Sequence, residues 1–192
     1  MSKRIVVAIS GASGAIYGVR ALELLRNIDD VETHLVISSG ARTTIGMETD
    51  RTARDLAELA DVTHSETNLA ASISSGSFRT DGMLIAPCSI KTLSAIANSY
   101  ADNLVSRAAD VTLKERRPLV LLFRETPLHL GHIRLMAQAA EAGATLMPPV
   151  PAFYHRPTTI EEIVDQTVGR ALDQLGLDVG VVSRWSGRPP SP

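Results

Sequence analysis

The chain has 192 residues, 44% of them apolar and 21% charged, with a formal net charge of −2. That is the balance of a single globular domain with an ample core, and it offers no basic surface for nucleic acid. No apolar run reaches the roughly 18 residues of a membrane span, and the lone cysteine, Cys88, excludes an intramolecular disulfide and argues against a cysteine-rich metal site. Lys3 to Ser10 reads as a short β-branched strand, not as a signal peptide, because it breaks at once into Gly11-Ala12-Ser13-Gly14-Ala15 and then into a helical pattern from Ile16 to Leu25. Glu32 to Ser38 is a second strand. A polar helical stretch follows over Arg42 to Leu59, interrupted near Thr49-Asp50. Residues 61 to 81 are rich in Ser, Thr, Asn and Asp and read as a long working loop. Gly82 to Ala86 is a buried strand stopped by Pro87, and a helix over Ser89 to Ala97 has Ser89 as its N-cap. Another helix covers Asn103 to Arg116. Pro118 to Phe123 is a continuous apolar strand, as in a parallel sheet covered on both faces. A helix over His132 to Ala142 closes at Gly143, a short strand spans Ala144 to Met147, and a last helix runs from Ile160 to Leu175. The tail from Ser183 to Pro192 is rich in Arg, Gly and Pro, and its end is expected to be mobile.

Alternating strands and helices predict an α/β fold: one domain over residues 1–182 with a doubly wound parallel sheet, followed by the tail 183–192. Such sheets bind ligands beyond the carboxyl ends of their strands, where the strand order reverses. Those ends carry Gly11–Ser13, Ser38–Ser39, Pro87–Thr92, Arg124–Glu125 and Pro148–Tyr154, which should therefore meet at one edge.

The strand–turn–helix at Gly11–Ala15 has the makings of an anion site, since the first N–H groups of a helix are free and its dipole favours negative charge. A tight turn with no ligand would use the same glycines. Gly11, Gly14 and Gly18 do not follow the dinucleotide G-x-G-x-x-G spacing, which weakens a nicotinamide reading and leaves a mononucleotide open. Ser89 and Thr92 offer hydroxyls at a helix start, either to a ligand or to plain capping. Arg124 suits phosphate and Glu125 beside it could exchange protons; an ordinary ion pair between them is the alternative. Lys114-Glu115-Arg116-Arg117 is a charge run at a helix end, with Arg107 on the face of Lys114. Phe153-Tyr154-His155-Arg156-Pro157 could close a pocket over an organic phosphate or simply pack on the surface. His129 and His132 lack a carboxylate or thiol cluster, so no metal is expected there. Cys88 has no His partner in sequence and reads as a small buried residue.

Taken together, GASGAIYG (11–18), SSGSF (74–78), PCSIKTLSAI (87–96), RAADVTLKERRPLVLLFRETPLHLGH (107–132) and MPPVPAFYHRP (147–157) resemble the flavin prenyltransferases, the UbiX-like partners of UbiD-type decarboxylases. The similarity runs from Ile5 to about Trp185, and the last two long stretches are the most specific. The resemblance implies a Rossmann-like or flavodoxin-like fold, a cytoplasmic homo-oligomer, commonly a dodecamer, and metal-independent transfer of a prenyl group from dimethylallyl monophosphate to N5 and C6 of reduced FMN. Carried over by motif, Gly11, Ala12, Ser13, Ser38, Ser89, Ile90, Lys91, Thr92 and Arg124 contact FMN. Lys114, Tyr154 and Arg170 hold the prenyl phosphate together with Arg124. Glu48, in METD, manages the protonation of that phosphate with Ser13 close by. Glu125 removes the proton from C6, and Trp185 covers the prenyl group.

Some members of that family carry an aromatic residue before SSGSF, where residues 68–73 here read NLAASI, which shifts the shielding onto Phe153, Tyr154 and Trp185. An FMN-dependent decarboxylase, or a non-catalytic FMN-carrying subunit of one, is the alternative reading. The decarboxylases of peptidyl cysteine share the fold, but their substrate clamp and catalytic His motifs are not evident in this chain.

Overall fold

The computed structural model describes residues 2–187. The elements run β1 (Lys3–Ile9), α1 (Ala15–Leu25), β2 (Val31–Ile37), α2 (Ser39–Glu48), α3 (Ala53–Ala57), β3 (Val62–Ser65), a 3₁₀ turn (Ser72–Ser74), β4 (Gly82–Cys88), α4 (Ile90–Ala97), α5 (Leu104–Lys114), β5 (Leu119–Phe123), α6 (Leu130–Glu141), β6 (Thr145–Leu146) and α7 (Ile160–Asp173). The strands form one six-stranded sheet in the order β3-β2-β1-β4-β5-β6. Every neighbouring pair is parallel, with Val7 opposite Leu35 on one side and Leu84 on the other. The doubly wound prediction holds, and the order reverses between β1 and β4.

Side-chain alternation divides the core into two layers. Ile5, Val7 and Ile9 pack with Leu22 of α1 and Val168 and Leu172 of α7. Val6 and Ala8 pack on the other face with Leu93 of α4 and Leu104 and Ala108 of α5. Each fully buried aliphatic side chain contributes about 1.5–3 kcal/mol. Gly18 is where α1 comes closest to the sheet: a Cβ there would collide with the Ala86 carbonyl oxygen and stand 2.8 Å from Ile9 Cδ1.

Three local readings need correction. Residues 61–81 are not all loop, because β3 pairs with β2 at the sheet edge, His34 opposite Val62; an edge strand of four residues has too few positions to show alternation. Pro87 does not end β4. The strand continues to Cys88 through a shift of register between Ile85 and Cys88, the kind of irregularity that tolerates a residue with no N–H. Gly131 does not delay α6, which starts at Leu130. Gly131 lies in the first turn, where its N–H has no helical partner and donates to His129 Nδ1 at 3.0 Å. The expected mobile end of the tail, 188–192, lies outside the described residues. No helix among the described residues is long and apolar enough to cross a membrane.

Candidate functional site

A cleft of about 530 Å³ opens at the carboxyl edge of the sheet, over the point where the strand order reverses. Gly11, Ser38, Ser89, Ile90, Lys91 and Thr92 line it, as the sequence predicts. Two helix starts face it. Ser38 caps α2 by accepting from Ala41 N at 3.1 Å, and Ser89 caps α4 by accepting from Thr92 N at 3.3 Å while its hydroxyl donates to Thr92 Oγ1 at 3.1 Å. The two helix dipoles therefore converge on one space furnished with hydroxyls. Ala12 belongs to the same turn as Gly11 and donates its N–H to the Ser10 carbonyl at 2.9 Å.

Ser10 is a positioning residue that sequence reading missed. It is almost fully buried, and its hydroxyl accepts the Ser89 N–H at 2.8 Å and donates to the Pro87 carbonyl at 2.8 Å. One side chain thus ties the end of β1 to the end of β4 and the start of α4. Glu66 and Thr67, just past β3, and Asp102, Asn103 and Ser106, around the start of α5, also line the cleft. With 61–81 taken as loop, no periodic signal could have placed Glu66 and Thr67 there.

The anion expected at the GASG turn turns out to be the protein's own. Among the described residues α1 is the helix without a side-chain N-cap; its N-cap Gly14 sits in the left-handed region at φ 101°. Glu48, the last residue of α2, supplies the missing acceptor: its Oε2 takes the N–H of Gly14 at 2.7 Å and of Ala15 at 2.9 Å. Partial desolvation pushes its pKa up, but bonds from Ala15 N–H, the Ser13 hydroxyl and Gly14 N–H, with the charge of Arg124, hold it below the usual carboxylate range. Burial raises the Tyr17 phenol and Arg124 opposes that rise, so Glu48, Ser13, Tyr17 and Arg124 form one electrostatic corner.

Arg124 and Glu125 follow β5. The Arg124 N–H donates to the Cys88 carbonyl at 3.0 Å, and the Glu125 carboxylate accepts the N–H of Thr126 at 3.1 Å. No ion pair joins the two side chains among the described residues. Past β6, Tyr154 and Arg170 line a second pocket of about 150 Å³. Tyr154 donates to the Ser183 carbonyl at 2.8 Å, and Gln166 Nε2 donates to the Tyr154 oxygen at 2.8 Å. Gln166 also accepts the Ser183 N–H at 2.9 Å, so this buried amide straps the tail to α7. The strap carries Trp185 edge-on to Tyr154, ring centroids 5.7 Å apart. Phe153 is exposed and joins no aromatic pair among the described residues. Arg170 is tethered by Asp173 at 2.7 Å, and Arg184 pairs with the same carboxylate at 2.9 Å.

Lys114 stands apart from this assembly. It ends α5, whose opposite end lines the cleft as far as Ser106, and eight helical steps of about 1.5 Å put it about 12 Å away along the axis. There it pairs with Glu115 at 2.6 Å. Arg107 and Arg117 bond backbone carbonyls of the 72–78 loop, at Ser74 (3.1 Å), Gly76 (2.8 Å) and Phe78 (3.0 Å). Cys88 is fully buried with its pKa driven up by burial, the inert residue the sequence suggested. His129 and His132 lie with ring centroids 3.6 Å apart at an interplanar angle of 34°, and His129 caps α6. No group of three or more His, Cys, Asp or Glu able to hold a metal occurs among the described residues.

An all-parallel sheet whose reversal point is furnished with hydroxyls and two helix N-termini defines a mononucleotide-binding α/β protein. A sequence model of the Flavoprotein family matches residues 1–172. Flavin prenyltransferase UbiX of Escherichia coli K12 is 63% identical over 187 residues, 96% of this chain and 99% of that protein. A dodecameric FMN-dependent UbiX-like decarboxylase from Escherichia coli O157:H7 superposes with a TM-score of 0.94 at 52% identity, over 96% of this chain and 100% of that one. A UbiX structure in complex with FMN and dimethylallyl pyrophosphate superposes with a TM-score of 0.96 at 52% identity, over 98% and 100%. The chain belongs to the flavoproteins and, within them, to the UbiX-like flavin prenyltransferases.

Proposed function

We propose that this protein transfers a dimethylallyl group from dimethylallyl monophosphate to N5 and C6 of reduced FMN, closing a fourth ring, releasing phosphate and supplying a UbiD-type decarboxylase with prenylated flavin. The flavin is then a substrate: reduced FMN contributes the nucleophilic N5 and the C6 carbon. The observation that carries the reading is the strand order. It puts a cleft at the carboxyl ends of β1 and β4, with Arg124 and Glu125 just after β5, the next strand, and the Tyr154 pocket after β6, and this arrangement supports the reading.

Gly11, Ala12, Ser38 and the Ser89–Thr92 turn, with Lys91, seat the FMN, and Ser13 and Arg124 orient its ring. Tyr154 and Trp185 offer aromatic faces to the allylic cation, worth about 0.5–2 kcal/mol each. Arg170, with Arg124 and Tyr154, takes the departing phosphate. Glu48 is ionised and already accepts hydrogen bonds, so it serves by fixing Ser13 and the turn and by accepting from a protonated phosphate. Glu125 removes the C6 proton; among the described residues no arginine pairs with its carboxylate. Lys114 lies too far along α5 to reach this phosphate within one chain, so it acts in a neighbouring subunit's site, in a homo-oligomer built like the dodecameric relative. Residues 1–182 form the flavoprotein unit and the tail adds Trp185. We place the protein in the cytoplasm, a reducing compartment that suits its one free thiol.

The test is anaerobic. Protein, reduced FMN and dimethylallyl monophosphate are mixed and the flavin is read by mass spectrometry. A gain of one five-carbon unit with release of phosphate is expected, and Glu125→Gln should keep FMN and lose turnover. Tight FMN binding with no gain in mass would overturn the transferase reading in favour of a carrier or decarboxylase.

A further inference from the structure

The cleft assigned to the flavin phosphate is lined by more negative charge than positive. Among the described residues that line it, Lys91 is the one cation, and Glu66 and Asp102 are both carboxylates. A pocket that gripped a dianion by charge would have the opposite balance. Asp102 is engaged within its own turn, accepting from Ser106 Oγ at 3.3 Å. Glu66 is placed differently. Its Oε2 accepts the N–H of Ser39, the first residue of α2, at 2.8 Å. Its carbonyl accepts the N–H of Leu104, the first residue of α5, at 2.7 Å. The residue is therefore fixed at both its backbone and its carboxylate, and a resident anion already holds one of the free amides of α2 inside the cleft.

We propose that Glu66 sets how tightly this chain holds the flavin phosphate. Its fixed charge lowers the affinity for phosphorylated flavins and leaves the phosphate to the start of α4, at Ser89, Lys91 and Thr92. The inference rests on the flavin reading above and deepens it. Substrate and product carry the same phosphate, so an unopposed phosphate site would hold the product as firmly as the substrate. A repulsive neighbour weakens that grip and speeds departure while leaving the contacts to the ring alone.

FMN and riboflavin share a ring and differ by the phosphate, which makes them the probes. Both are titrated, by quenching of flavin fluorescence, into the wild-type protein and Glu66→Gln at low and at high salt. Glutamine keeps an acceptor for the Ser39 N–H and removes the charge, so the local fold is retained. FMN should bind the variant about three- to tenfold more tightly at low salt, with the gain shrinking as salt screens it. Riboflavin affinity should not change. In turnover, the variant should show a lower KM for FMN and a lower kcat, as release slows. An equal shift for both flavins, no shift, or weaker FMN binding would overturn the proposal and leave Glu66 as a clasp between α2 and α5. If the wild-type protein binds neither flavin, the flavin reading fails and this role fails with it. Flavin binding that is unaltered by the substitution removes only the role of Glu66.

Discussion

Glu48 does for α1 what a serine, threonine, asparagine or histidine does for the other helices, but from 33 and 34 residues away in sequence. Its native pKa is depressed, so the stabilisation it gives is complete above the ordinary glutamate value of about 4.3 and is lost as pH falls through the lower native value. Glu48→Gln should therefore cost about 0.5–1 kcal/mol at neutral pH. Urea unfolding of the two proteins from pH 7 down to pH 3 should show that difference fading in acid; a gap that stays constant with pH would count against an electrostatic origin. Much of the site was legible at this scale because helix starts advertise themselves: Ser38, Ser89 and Thr92 were found from their place after apolar runs. Arg124 is marked by its place at the end of an apolar strand, whereas Glu48 rests on the family resemblance alone. Ser10, Glu66 and Gln166 could not be read, since a polar residue that acts across more than fifteen positions leaves no local pattern.

Among the elements, the joint between β1 and β4 is the one on which the cleft depends. Ser10→Ala removes an acceptor for the half-buried Ser89 N–H and a donor to the buried Pro87 carbonyl. Leaving a buried donor or acceptor without its partner costs about 1–3 kcal/mol. The variant should unfold at lower urea and also bind FMN less tightly, because Ser89 opens α4; loss of stability with unchanged FMN affinity would uncouple the joint from the cleft. The long buried strands and amphipathic helices were evident from periodicity. The errors fell where tertiary contacts override local chemistry. The short edge strand β3 exists because β2 presents free backbone groups to it, and Pro87 stays in β4 because its register shifts there. The doubly wound parallel sheet followed from the alternation of strands and helices.

At the scale of the whole molecule, the role proposed for Lys114 together with its distance from the cleft implies that sites are shared between copies. Leu130 and Ile133 on α6, with Val150 and Phe153 before α7, are large apolar side chains more than half exposed, as surfaces awaiting other subunits are. Lys114→Ala and Arg124→Ala should each be inactive alone. If sites are shared, mixed oligomers refolded from the two variants should recover part of the activity, since some sites then combine an intact Lys114 with an intact Arg124. Recovery of none would place both residues in the same chain's site. This separation follows from topology although Lys114 and Arg124 are only ten positions apart, because Lys114 closes a crossover helix where β5 begins and Arg124 follows the far end of that strand. The strap that binds Ser183 to Tyr154 and Gln166 adds an order in time. Among the described residues, the lining of the cleft ends at Ser106, whereas the aromatic corner waits for Ser183 and Trp185, far later in the chain. A growing chain has thus made the lining of the cleft long before the strap at Ser183 can close the corner around Tyr154.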